Sequence, residues 1–252
     1  GFRTVRNVRY VDKSVLVGVM NGTIDTKRKL SCISRPRRFG KSYAAQMLCA
    51  YYDRSCDSAP LFDDLAIARD ASYHAHLNRY NVLYLDITNI IGEAKDRDDI
   101  VPFIRRHVCA EVHELMPEIA ETDSISVMLA KMAERTGCKF IAIIDEWDAL
   151  VRDGISTDAQ QKTYFEFLRS LFKSSGTTDK LFAAAYMTGI LPIKKDGSQS
   201  AVSEFIEYDM LDPQMFEPFV GFTEAEVRSL CVEHGADFGL MKQWNDGYAF
   251  ST

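Results

Sequence analysis

Ser34-Arg35-Pro36-Arg37-Arg38-Phe39-Gly40-Lys41-Ser42 joins a β-prone run, residues 29–34, to a helix-forming run, residues 41–52. A Gly-Lys-Ser triplet between a strand and a helix is the setting in which a phosphate-binding loop is physically meaningful. The backbone N–H groups of such a loop and the positive end of the following helix form a cradle for an anion. In that cradle Lys41 would reach the terminal phosphates, and the hydroxyl of Ser42 would hold Mg²⁺.

The loop departs from the usual phosphate-loop pattern at one position. That pattern has a glycine five residues before Gly40, and this chain has Arg35 there. Taken alone, the triplet therefore fits either a phosphate loop or an ordinary strand-to-helix turn with a capping serine. Arg37 and Arg38 could bind phosphate oxygens bidentately, or they could pair with acidic loops. The nucleotide contacts predicted on this basis are Arg37, Arg38, Phe39, Gly40, Lys41, Ser42 and Tyr43.

A pair of acids follows the most apolar segment of the chain. Residues 140–144 are continuously apolar, which is typical of a strand covered by helices on both faces, and Asp145 and Glu146 come directly after them. Phosphoryl-transfer proteins use such acids to hold Mg²⁺ and to polarise water. We predict Asp145 as the acid on the metal side and Glu146 as the general base. The alternative is that the pair only begins a solvated turn, which Asp148 would cap.

Thr188 ends a further buried run, residues 180–187, in the same way. Thr188 is placed like the polar residue on the strand between the loop strand and the acid strand, where its side chain can sense the terminal phosphate or orient water. We therefore expect the ammonium of Lys41 and the two acids to face each other across a gap the size of one Mg²⁺. The predicted catalytic residues are Lys41, Glu146 and Thr188, and the predicted metal ligands are Ser42 and Asp145.

Strand-like and helix-like segments alternate along the chain. The strand-like runs are residues 29–34, 81–88, 139–144, 180–187 and 205–211. Buried strands separated by helices predict a mostly parallel sheet with right-handed crossovers, whose ligands bind beyond the carboxyl ends of the strands. We expect an α/β core over residues 1–212 and a small helical extension over residues 213–252, where Thr223 and Glu226 form a capping box.

The composition excludes several classes of protein. With 46% hydrophobic and 26% charged residues, the chain is neither disordered nor collagen-like nor a coiled coil. Its apolar runs are far shorter than the about 18 residues of a membrane helix, and its start does not resemble a secretory leader, so we expect a cytoplasmic protein without a membrane partner. The six cysteines are widely spaced without a CxxC pair, which argues against a zinc site.

The charges are unevenly distributed. Residues 27–41 contain seven bases and no acid, in a chain whose net charge is -6. This local positive field fits an anionic ligand or a solvated basic loop. Residues 201–252 contain ten acids and two bases. That acidic segment opposes a long phosphate footprint, so we expect at most weak, salt-sensitive binding of nucleic acid.

With these segments located, the chain resembles the bacterial and archaeal AAA-ATPase-like family of P-loop proteins. The matching segments are Tyr10-Val11-Asp12-Lys13, the loop at 34–42, Tyr84-Leu85-Asp86, Ile144-Asp145-Glu146, residues 187–193, residues 221–227 and residues 244–248, where Asn245 replaces an expected tyrosine. In this family the loop has an arginine where Arg35 stands. The resemblance implies a P-loop NTPase sandwich of three α/β/α layers that binds ATP and Mg²⁺.

The resemblance also bears on partners and activity. Many members continue into a PD-(D/E)xK nuclease-like domain, which would begin after Thr252, so we expect no nuclease site in this chain. The leading hypothesis is Mg-dependent ATP hydrolysis by a switch or motor-like module. Two alternatives stay open: a module that holds ATP without turning it over, and a phosphotransferase acting on a small hydroxyl acceptor, since phosphate loops also serve kinases.

Overall fold

Five parallel strands form the sheet of the described chain: β1 (Leu30–Ser34), β2 (Asn81–Asp86), β3 (Phe140–Asp145), β4 (Phe182–Gly189) and β5 (Ile206–Tyr208). The computed structural model describes residues 1–7, 10–94, 100–119, 124–152, 154, 156–172, 177–193, 202–219 and 221–245. The order across the sheet is β2-β3-β4-β1-β5. The strand that ends near Thr188 therefore lies between the loop strand, β1, and the acid strand, β3.

Helices connect the strands. In the described ranges they are α1 (Phe2–Arg6), α2 (Val15–Asn21), α3 (Lys41–Tyr52), α4 (Tyr73–His76), α5 (Ile87–Glu93), α6 (Ile100–Leu115), α7 (Ile125–Thr136), α8 (Ala149–Arg152), α9 (Asp158–Phe172), α10 (Thr177–Leu181), α11 (Glu224–His234) and α12 (Phe238–Asn245). Short 3-10 helices span Ala59–Leu61, Ala66–Arg69 and Gln214–Phe219. The helix α3 begins directly after the loop, as the helix-forming run predicts.

Helices cover both faces of the sheet. Strand β3 shows this most clearly, because all six of its residues are buried. Phe140, Ala142 and Ile144 pack into one core with side chains of α6, α7 and α9. Ile141 and Ile143 pack into a second core with side chains of α1, α2 and α3. Since successive side chains of a strand point to opposite faces, the two cores lie on opposite sides of the sheet. The fold is the predicted α/β/α sandwich.

The predicted strands are found in their places, with different ends. Residues 87 and 88, predicted as strand, instead begin α5. The carboxylate of Asp86 accepts a hydrogen bond from the N–H of Asn89 at 3.0 Å, and this cap starts the helix where the strand ends. Residues 180 and 181, also predicted as strand, belong to α10. Residues 246–248 of the family segment lie outside the described residues.

The predicted capping box opens the C-terminal helices. The hydroxyl of Thr223 accepts from the N–H of Glu226, and the Glu226 carboxylate accepts from the N–H of Thr223 at 2.7 Å.

Phe216 is buried and its ring centroid lies 4.6 Å from that of Tyr208 on β5. The division into units at residue 212 stays a prediction. None of the helices in the described ranges is long and apolar enough to cross a bilayer.

Candidate functional site

The carboxyl ends of β1, β3 and β4 lie side by side at one edge of the sheet. The strands are adjacent and parallel, and their registers pair Ile33 with Thr188 and Ile144 with Met187. The loop after β1 and the acids after β3 therefore meet. The Nζ atom of Lys41 lies 3.8 Å from Oε1 of Glu146, so two groups that are distant in sequence form one side-chain cluster.

The loop of residues 35–40 makes a tight turn into α3. Arg38 and Gly40 both have left-handed backbone conformations, with φ angles of 70° and 78°. Gly40 is the N-cap residue of α3 and adopts this conformation without steric cost, because it has no Cβ atom. The N–H groups at the start of α3 and the positive end of its dipole are thereby directed toward the loop.

The ammonium group of Lys41 lies inside this loop. It donates hydrogen bonds to the carbonyl oxygens of Arg35 and Pro36, each at 2.9 Å. Burial lowers the pKa of Lys41, and the carboxylate of Glu146 opposes that shift. The buried cation is therefore held by loop carbonyls and faces an acid on its other side.

Asp145 is buried behind the loop, with 2% of its surface exposed. The hydroxyl of Thr188 donates to Oδ1 of Asp145 and also accepts from the N–H of Glu146 at 3.1 Å. A second hydroxyl, that of Ser42, also acts on the Asp145 carboxylate and lowers its pKa. Burial raises the pKa of Asp145, and the two hydroxyls oppose this shift. Thr188 thus connects both acids, and its own side chain is fully buried.

The turn after β3 carries a residue whose importance the sequence did not reveal. Asp148 was predicted only as a turn cap, but it is fully buried. Its Oδ2 atom accepts from the N–H groups of Ile190 and Leu191, at 3.0 and 2.7 Å, and so ties the turn to the residues after β4. Its Oδ1 atom lies 3.3 Å from Nη1 of Arg152. The only signal in the sequence was the i,i+4 spacing of this Asp and Arg.

A cavity of about 610 Å³ opens beside the loop. Its volume lies within the range of about 300–1,000 Å³ that is typical of small-molecule and cofactor sites. Glu146 lines the cavity. So do all seven predicted nucleotide contacts: Arg37, Arg38, Phe39, Gly40, Lys41, Ser42 and Tyr43. The other lining residues are Lys13, Gly221 and a larger set that is apolar or aromatic: Val5, Tyr10, Val11, Ala44, Met47, Phe219, Phe222 and Leu230. Asp145 and Thr188 are buried and are not among the residues that line the cavity, but Thr188 accepts a hydrogen bond from the N–H of the lining residue Glu146.

Contacts between distant segments hold the walls of the cavity together. Lys13 Nζ donates to the Pro218 carbonyl and to Oε2 of Glu226, each at 2.6 Å. The N–H of Gly221 donates to the carbonyl of Phe39 at 2.9 Å. Gly221 has a φ of 97°, and a Cβ atom there would lie 2.9 Å from the Phe39 ring. The C-terminal segment is therefore in direct contact with the loop.

Arg35 stands at the first position of the loop, where the usual phosphate-loop pattern has a glycine. Only 1% of its surface is exposed, and it is not among the residues that line the cavity. Its Nη1 atom donates to the carbonyls of Ser34 and Tyr208, at 3.2 and 3.4 Å. Its Nε and Nη2 atoms have no hydrogen-bond partner within the described chain, and burial lowers the pKa of the guanidinium. The side chain is buried and contacts the end of β5.

Replacing Arg35 with methionine should leave the free energy of unfolding unchanged or raise it by up to about 4 kcal/mol, because a poorly paired buried charge is removed while most of the volume is kept. Arg35→Gly, which restores the usual loop glycine, should instead lose at least about 2 kcal/mol to the cavity that it leaves. Urea unfolding measures both variants. Arg54→Met, at an exposed arginine, is the control. A large loss of stability in Arg35→Met would show that the guanidinium is net stabilising.

The sheet order and the loop together define the class of protein. A parallel sheet ordered β2-β3-β4-β1-β5 has a lysine-bearing loop after β1 and a buried acid at the end of β3. This is a P-loop NTPase fold. Its cavity lies outside the carboxyl ends of the strands, where ligands bind in open α/β sheets.

Residues 2–198 match the family described as Predicted AAA-ATPase, and the chain belongs to that family. It is thus a nucleotide-binding, ATPase-like module. Among solved structures, it is similar to the ORC2 protein of Aeropyrum pernix in ADPNP-ADP complexes, with a TM-score of 0.45 and 11% sequence identity. That match covers 88% of this chain and 50% of the other, so this chain spans about half the length of that protein. Comparison with curated proteins finds no match.

Proposed function

We propose that this chain binds ATP in the cavity beside the loop and hydrolyses it with the help of Mg²⁺, as a switch or motor-like module. The observation that carries the proposal is the meeting of Lys41 and Glu146, 3.8 Å apart, on one wall of that cavity. A cation that binds phosphate and a carboxylate that takes a proton from water are the two groups that hydrolysis requires at one place.

The loop would bind the phosphates. The N–H groups at the start of α3 can donate to phosphate oxygens, and the helix dipole favours the negative charge. Lys41 would exchange its bonds to the carbonyls of Arg35 and Pro36 for bonds to the phosphates. Arg37 and Arg38 are exposed at the cavity and can neutralise further phosphate oxygens. The apolar and aromatic residues of the lining suit the faces of a nucleobase.

The oxygen ligands at Ser42 and Asp145 fit Mg²⁺. The Ser42 hydroxyl is close enough to Asp145 to lower the pKa of its carboxyl, so a hydroxyl and a carboxylate oxygen lie near each other at the start of α3. Mg²⁺ is usually held by one or two carboxylates together with phosphates and water, so it needs no larger protein cluster. No group of three or more His, Cys, Asp or Glu ligands is found in the parts of the chain that are described. Bound there, Mg²⁺ would neutralise charge on the phosphates.

Glu146 would act as the general base. It lines the cavity, and its N–H is held by the Thr188 hydroxyl. Because the Thr188 hydroxyl also binds Asp145, one side chain sets the relative position of the two acids. This supports an indirect role for Thr188, since its fully buried hydroxyl is engaged by the acids. We propose that it holds the acids rather than touching the terminal phosphate.

The wild-type chain should release phosphate from ATP when Mg²⁺ is present, and should stop when EDTA removes the metal. Phosphate release measured at saturating ATP, beside a binding titration with a fluorescent ATP analogue, tests this. Binding of ATP without phosphate release, in the presence of Mg²⁺, would contradict hydrolysis and favour a module that holds ATP without turning it over. Release of ADP that depends on an added hydroxyl compound would favour the phosphotransferase.

A further inference from the structure

Arg152 contacts the carboxylate that the proposed reaction uses. It is the last residue of α8, the short helix that follows the turn after β3. Its Nη1 atom donates to Oε2 of Glu146 at 2.5 Å. Both side chains are largely buried, with 14% of Arg152 and 18% of Glu146 exposed. A charge-assisted hydrogen bond in such a setting is stronger than an ion pair at the surface.

The two oxygens of Glu146 have different neighbours. Arg152 holds Oε2, while Oε1 faces the ammonium of Lys41 at 3.8 Å. The first contact is a short hydrogen bond, and the second is too long to be one. The carboxylate is therefore anchored through one oxygen and presents the other to the loop.

Arg152 is itself held in place by a buried acid. Its Nη1 atom also lies 3.3 Å from Oδ1 of Asp148, whose other oxygen is bound by the N–H groups of Ile190 and Leu191. The anchor of Glu146 is thus connected to the residues after β4. The backbone of Glu146 is constrained as well, because its φ is 54° and its N–H donates to Thr188. A non-glycine residue in this conformation requires such surrounding support.

We infer that Arg152 is a positioning residue for Glu146: it fixes Oε2 so that Oε1 stays directed at the phosphate loop. The inference rests on the proposed hydrolysis. When phosphates draw Lys41 away from Glu146, the Arg152 contact remains and keeps the carboxylate from turning out of the cavity. Arg152 acts through Glu146 and is not among the residues that line the cavity.

The test compares Arg152→Ala, Arg152→Lys and wild type in steady-state ATP hydrolysis. Arg152→Ala should lower kcat by about 10–100-fold, as expected when an outer partner of a functional group is removed. Its KM and its affinity for a fluorescent ATP analogue should stay within about threefold of wild type, because the loop is untouched. Arg152→Lys should recover part of kcat, since lysine keeps the charge but not the planar guanidinium geometry. Arg135→Ala, at an exposed ion pair with Glu118, is the matched control.

A double variant separates positioning from a structural effect. If Arg152 acts through Glu146, the pair Arg152→Ala and Glu146→Gln should be about as slow as Glu146→Gln alone. Multiplied effects, an unchanged kcat in Arg152→Ala, or a raised KM with unchanged kcat would each overturn the inference. If Arg152→Ala does not fold, Arg152→Met, which keeps most of the side-chain volume without the charge, takes its place, and a kcat equal to that of wild type overturns the inference. A wild type that binds ATP but releases no phosphate removes the proposed hydrolysis, whereas an active wild type matched by Arg152→Ala removes only the role of Arg152.

Discussion

Lys41→Ala should weaken ATP binding by on the order of 100-fold or more, the largest effect on affinity that we expect from a single substitution. Hydrogen bonds to charged groups contribute about 1.5–3 kcal/mol each, and Lys41 is the buried cation inside the loop, whereas Arg37 and Arg38 are exposed. The affinity for a fluorescent ATP analogue, measured by titration in the presence of Mg²⁺, gives the result directly. Phosphate release should be lost with binding.

The control for this variant must separate lost charge from lost packing. Lys41 is buried, so its removal also leaves the carbonyls of Arg35 and Pro36 without their donor. Lys41→Met keeps most of the side-chain volume and should lose binding to a similar degree. Lys27→Ala removes an exposed lysine of the same basic segment, outside the cavity lining, and should bind ATP like wild type. Normal binding by a folded Lys41→Met would exclude the loop as the phosphate site.

Glu146→Gln should bind ATP about as tightly as wild type and lose turnover by about 10²–10⁴-fold, the usual contribution of a general base. The amide has nearly the shape of the carboxylate but cannot take a proton from water at neutral pH. Single-turnover phosphate release beside the binding titration separates the two effects. Lys41→Ala is thus expected to lose ATP binding, whereas Glu146→Gln is expected to keep binding and lose the chemical step.

Glu118→Gln provides the comparison for this second variant. Glu118 is an exposed carboxylate whose partner, Arg135, is also exposed, so the substitution should change neither binding nor turnover. Turnover in Glu146→Gln equal to that of wild type would mean that another group activates the water. Loss of ATP binding in Glu146→Gln would instead assign the carboxylate to the binding site.

Local sequence signals were sufficient to locate the strands and the loop. The continuous apolar run at 140–144 predicted a strand buried on both faces, and β3 is buried at every position. The prediction extended β2 two residues too far, although the sequence also indicated where the helix begins. Asp86 lies three residues before Asn89, the spacing at which an N-cap side chain accepts a hydrogen bond from the backbone. The prediction instead followed the β-branched residues Ile87 and Thr88. Their preference for strands is weak compared with a cap and tertiary packing, so in the structure they are helical.

The sequence by itself determined that a lysine-bearing loop follows one buried strand and an acid pair follows another, since strand, turn and helix preferences are local. The tertiary structure alone decided that Thr188 binds both Asp145 and the N–H of Glu146. It also decided that the side chain of Arg35 is buried and contacts the end of β5, and that Arg152 hydrogen-bonds to Glu146. The physical reason is that these contacts depend on strand order and side-chain direction. A strand that is apolar at every position shows no alternation of polar and apolar residues. This pattern therefore indicates neither the place of the strand in the sheet nor the direction of each side chain.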